Sequence, residues 1–140
     1  MSKESGFELH AQLAADCLVV GDLPLNRVLL MNDAHYPWCI LVPRRAGLIE
    51  LYDLDETDGA QFLAESRLLA SGMMAAFDGE KFNVGALGNV VPQLHIHHIV
   101  RRKDDAAWPR PIWGVMPTVP YASAVLEERL AILRNIISSN

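Results

Sequence analysis

Gln93-Leu94-His95-Ile96-His97-His98-Ile99-Val100 holds three of the chain's five histidines within four positions, and its reading decides both fold and site. Read as a strand over Gln93 to Val100, it turns successive side chains to opposite faces, so Gln93, His95 and His97 share one face while Leu94, Ile96 and His98 take the other. Same-face neighbours along a strand stand about 7 Å apart. At that spacing one imidazole can attack a phosphorus while the other contacts an oxygen or the leaving group. A lone strand histidine is more often a surface or hydrogen-bonded core residue. It is the clustering, beside Gln93, that gives this stretch functional weight.

Metal binding is the rival use of a His-x-His pair, as in a cupin barrel with a nearby carboxylate and a later histidine. Here the next carboxylates, Asp104 and Asp105, lie beyond Arg101-Arg102-Lys103, and no histidine follows His98. The third ligand is missing, so no metal site is expected.

Outward from this stretch the pattern is mixed. Glu8 to Ala15 has the apolar spacing of a short helix. Asp16 to Val20 and Val28 to Met31 read as strands joined by the hairpin-like Gly21-Asp22-Leu23-Pro24-Leu25-Asn26. The run Trp38-Cys39-Ile40-Leu41-Val42 is apolar at consecutive positions and is expected to be a central strand covered on both faces. Asp55-Glu56-Thr57-Asp58 supplies capping carboxylates to a long helix whose apolar positions run from Phe62 to Phe77. Lys81 to Leu87 is a further strand before Gly88-Asn89-Val90-Val91-Pro92. After the proline-rich stretch from Trp108 to Pro120, Ala122 to Ile137 reads as an amphipathic helix. The order predicts an α+β fold with an antiparallel sheet. One domain over 1–140 is expected, with its core at about residues 16–102 and a carboxy-terminal tail and helix at 103–140.

Hydrophobic residues make up 51% of the chain and charged residues 21%, which excludes a disordered chain. A net charge of −5 argues against a surface built for nucleic acid. Met1 to Gly6 is not followed by the apolar stretch of a secretory signal, and no apolar run approaches the roughly 20 residues of a membrane span, so a cytoplasmic protein is expected. Cys17 and Cys39 have neither zinc nor redox spacing and read as reduced core thiols.

At these residues the chain resembles the histidine triad family, whose signature is His-φ-His-φ-His-φ-φ with φ apolar. Gln93, His95 and His97 fall on the three triad positions. Gly88-Asn89, Lys81-Phe82-Asn83-Val84-Gly85, Asn32-Asp33 and the strand from Trp38 to Arg45 match further family segments, so the likeness spans about residues 16–102. It implies an antiparallel sheet of about five strands with one long and one carboxy-terminal helix. It also implies a two-step reaction on the α-phosphate of a nucleoside phosphoramidate or dinucleoside polyphosphate. In that reaction His95 is the nucleophile, His97 and Gln93 complete the catalytic set, Asn83 and Asn89 donate to phosphate oxygens, and Asn32-Asp33 takes the ribose. Trp113-Gly114 stands in a segment that in the family reaches toward the partner's site, which makes Trp113 a candidate for substrate selection. A homodimer is implied, with no required cofactor beyond a divalent cation accompanying a polyphosphate substrate.

Two departures stand out: Gln93 replaces the first triad histidine, and Trp38 replaces the histidine of a Gly-His-x-Leu strand. In the family these positions lie near each other, so the pair reads as one compensated change. His98, pointing away from His95, reads as structural. Three readings remain open on the residues: an active nucleotidyl hydrolase or transferase, a nucleotide-binding protein with little or no catalysis, and a metal-binding His-x-His protein.

Overall fold

A computed structural model of the chain describes residues 6–139. The segment Met1 to Ser5, on which the expectation about a secretory signal rests, lies outside the described residues. Five strands, β1 (Cys17–Asp22), β2 (Asn26–Met31), β3 (Trp38–Pro43), β4 (Lys81–Gly85) and β5 (Ile96–Arg101), form one antiparallel sheet in the order β1-β2-β3-β5-β4. The α+β expectation holds, and β3 is central, buried at every position as its unbroken apolar run requires. Among the described residues no helix is long and apolar enough to cross a membrane.

Pleating sorts the side chains into two cores. Cys39, Leu41 and Val100 face α2 (Glu56–Ala76) and α3 (Ser123–Ser138), meeting Leu69, Met73, Leu133 and Ile136. Trp38, Ile40 and Ile99 face the other side, where Leu13 of α1 (Ala11–Asp16) and the loop residues Val91, Ala107 and Ile112 cover them. Among the described residues no long helix lies over that second face, which leaves room for a cleft.

The chain departs from its expected boundaries where side chains bond with backbone. α1 starts at Ala11, not Glu8, because Gln93 holds Glu8 and His10 in extended chain: its Nε2 donates to the Glu8 carbonyl and its Oε1 accepts from the His10 N–H, each at 2.8 Å. The same bonds, with Leu94 N–H donating to the Leu48 carbonyl, keep residues 93–95 out of the sheet, so β5 begins at Ile96 and not at Gln93. The first hairpin is tighter than expected. Gly21 and Asp22 pair after a bulge at Val19/Gly21, and Glu65 of α2 pins the turn by accepting from the backbone N–H groups of Leu25 and Asn26, both at 2.9 Å, and from the Asn26 amide at 3.0 Å. At the start of α2, Asp55 accepts from the Asp58 N–H at 2.8 Å, as its capping sequence predicts. Cys17 and Cys39 are buried free thiols, and burial pushes the pKa of each well up, so neither forms a thiolate readily.

Candidate active site

His95 and His97 border a cleft of about 290 Å³ with Leu87, Gly88, Asn89, Val90 and Val91. Their rings meet edge to face, centroids 5.1 Å apart. His95 sits just before β5, 7% exposed, and its Nδ1 lies 2.7 Å from the carbonyl oxygen of Gln93. A carbonyl can only accept, so Nδ1 carries the hydrogen and the lone pair is on Nε2. That is the form in which an imidazole is a nucleophile.

His97 is arranged in the opposite sense. The indole Nε1 of Trp38 lies 3.0 Å from its Nδ1, and an indole N–H can only donate. The Nδ1 of His97 is therefore the acceptor, and the neutral ring carries its hydrogen on Nε2. Burial, then the neighbouring imidazoles of His95 and His98, lowers its pKa to about 3, which keeps it uncharged near neutrality. Trp113 packs edge-on against the same ring at 5.3 Å. A glycine at position 85 permits this approach, since a Cβ there would stand 3.3 Å from the Trp113 ring.

The HIT domain family model matches residues 12–104. The chain belongs to the histidine triad family. A histidine triad protein from Marinobacter aquaeolei is 49% identical over 95% of this chain and 97% of its own, with a TM-score of 0.93. One from Bradyrhizobium japonicum is 44% identical over 94% and 98%, with a TM-score of 0.92. A diadenosine triphosphate hydrolase from Plasmodium falciparum, 17% identical over 96% and 82%, shares the fold at a TM-score of 0.59. No curated protein matches the chain. The family's members are generally nucleotide hydrolases or transferases, and the chain has their fold.

In this histidine triad protein the other sequence-derived candidates divide. Asn89 lines the cleft. Gln93 does not turn its amide to the cleft; both polar atoms are spent on the backbone of Glu8 and His10. The two departures from the triad pattern therefore serve separate partners, Gln93 the amino-terminal segment and Trp38 the ring of His97, and do not form one compensated pair. Asn83 lies on β4, its Oδ1 accepting from Arg101 Nη1 at 2.8 Å; Arg101, 1% exposed, also spans both carboxylate oxygens of Asp105. Neither Asn32 nor Asp33 borders the histidine cleft. Asn32 Oδ1 accepts from the Tyr121 N–H at 3.0 Å, and Asp33 Oδ1 takes the N–H and Nδ1 of His35 at 3.0 and 2.7 Å. Trp113 packs against the His97 ring of the same chain. Among the described residues no three His, Cys, Asp or Glu side chains are grouped to hold a metal ion.

Sequence reasoning gave no partner for His98, Trp38 or the Gln93 amide, because those partners come from distant segments and the period of a strand reports only its faces. His98 Nδ1 donates to the Ile96 carbonyl at 3.0 Å and its Nε2 accepts from the Ser66 hydroxyl of α2 at 2.7 Å. Burial lowers its pKa to about 4, opposed by the Ile96 carbonyl. The unfolded chain, with an ordinary histidine pKa near 6.5, thus binds a proton the folded chain refuses. This contribution to stability is complete above about pH 6.5 and is lost as pH falls from there to about 4, on the order of 3 kcal/mol in all. Urea unfolding at about pH 7 and pH 4.5 measures it: in His98→Gln the loss of stability between the two should be distinctly smaller than in wild type, and an equal loss contradicts it.

Proposed function

We propose that this protein is a nucleotidyl hydrolase or transferase working through a nucleotidyl-histidine. The carrying observation is the 2.7 Å bond from His95 Nδ1 to the Gln93 carbonyl, which leaves the Nε2 lone pair for attack. His95 Nε2 bonds to the α-phosphorus, the phosphorus–nitrogen or phosphorus–oxygen bond to the leaving group breaks, and that group departs with the electron pair and a proton taken from solvent water. Water or another acceptor then attacks the same phosphorus, releases the nucleotide and frees His95. His97 Nε2–H and the Asn89 amide donate to the phosphate oxygens where charge builds.

The cleft lining favours a phosphoramidate over a polyphosphate, because it includes no lysine or arginine to meet extra phosphates. A polyphosphate would bring its own divalent cation. The expected result with EDTA is unchanged turnover of an adenosine phosphoramidate and loss of any turnover of diadenosine polyphosphates; equal sensitivity of both contradicts this preference. Mass spectrometry of the protein quenched during turnover should find AMP on His95, and turnover without any nucleotidylated histidine overturns the mechanism.

Binding without turnover is the second reading, favoured by one observation: His97, held neutral, cannot protonate a leaving group as an imidazolium. Retention of AMP with no turnover of any of these substrates selects it. A homodimer goes with either reading, supported by exposed Leu63 on α2 and by Val84 on the open β4 edge; sedimentation velocity tests it.

A further inference from the structure

We propose that Trp38 is a positioning residue: its indole N–H fixes His97 in the tautomer that carries hydrogen on Nε2, so that His97 offers a neutral N–H donor to an oxygen of the cleft ligand. Only the identity of that oxygen rests on the phosphoryl reading above; the tautomer does not.

The inference is carried by geometry. Trp38 opens β3, pairs with Ile99 of β5, and is 6% exposed within the core on the cleft side of the sheet. Its ring is therefore held by packing, and its single polar atom is aimed at His97 Nδ1 at 3.0 Å. The two rings are inclined at 49°, with centroids 5.7 Å apart. An indole nitrogen has no lone pair to offer, so this contact is a hydrogen bond in one tautomer of His97 and a clash of two hydrogens in the other. Doubly protonated His97 suffers the same clash, and the groups packed against the ring, His95 on the chain just before β5 and Trp113 from the tail, carry no negative charge that would reward a cation. Among the described residues Nε2 has no hydrogen-bond partner, although the residue lines the cleft. Position 38 thus sets which nitrogen of His97 donates, and does so without touching the ligand.

The result is a division of labour between two imidazoles of one cleft. A backbone carbonyl puts the lone pair of His95 on Nε2, and an indole puts the hydrogen of His97 on Nε2. One ring attacks; the other holds an oxygen. A histidine at position 38 could accept as well as donate and would leave this choice open.

Nitrogen-15 NMR of the imidazoles tests this directly. In the wild-type protein, His97 should show an unprotonated Nδ1 and a protonated Nε2, unchanged between about pH 5 and 8. In Trp38→Phe, once its unfolding curve shows a folded chain, the ring should populate both tautomers, and turnover of an adenosine phosphoramidate should drop about 10–100-fold in kcat, with KM little affected. The proposal is overturned by a protonated Nδ1 on wild-type His97, a measurement that needs no variant, or by an unaltered His97 signature in folded Trp38→Phe. If wild type shows the expected tautomer yet turns over no nucleotide, the phosphoryl reading fails and the tautomer assignment stands.

Discussion

His95→Ala should reduce turnover of an adenosine phosphoramidate by on the order of 10⁴–10⁶-fold and abolish the nucleotidylated protein, while AMP binding changes little. The size follows from its role. Loss of a covalent nucleophile removes the two-step route altogether, leaving only what binding and oxyanion contacts provide. His97→Ala, which takes away one donor to the developing charge, should cost about 10²–10³-fold. The ranking is the informative part, since both rings line the same cleft and both are 7% exposed. If the two variants lose activity equally, or if His97→Ala loses more, the assignment of attack to His95 is wrong. The assignment rests on which nitrogen of each ring is tied back, Nδ1 of His95 to a carbonyl and Nδ1 of His97 to an indole N–H.

Glu65→Ala should cost about 3–5 kcal/mol of stability, enough to unfold a marginal domain. Glu65 is 2% exposed, and its carboxylate accepts from two backbone N–H groups of the β1–β2 turn, the Asn26 amide and Gln61 Nε2. Truncation leaves the turn donors buried without an acceptor, at about 1–3 kcal/mol each. It also frees the hairpin from α2. Urea unfolding followed by circular dichroism reads the loss; a change under about 1 kcal/mol would mean that water replaces the carboxylate at little cost. Because Glu65 stands on α2, and neither it nor the turn residues Leu25 and Asn26 line the cleft, the folded fraction of this variant should keep its kcat.

Most of the fold was legible because local chemistry dictated it. The apolar run at 38–42 demanded a central strand, Asp55 capped α2 where its sequence indicated, and the stripe beginning near Ala122 became α3 within a residue. The errors fell where long-range hydrogen bonds overrode the period. Gln93 looked like the start of a strand, but its amide is used by Glu8 and His10, more than eighty residues away. Nor could the period report that the Oδ1 atoms of Asn32 and Asp33, the expected ribose-binding step, accept from the Tyr121 and Val119 N–H groups on the approach to α3.

The sequence by itself determined the family, the sheet and the pair of histidines on one face, since alternation along a strand and apolar patterning are properties of consecutive residues. Only the tertiary structure decided what each imidazole can do. Tautomer and charge depend on which donor or acceptor another strand or loop brings to Nδ1, and on how much water the packing removes. For His95 that partner is a carbonyl at the bend before β5; for His97 it is an indole on β3, fifty-nine residues away in the chain.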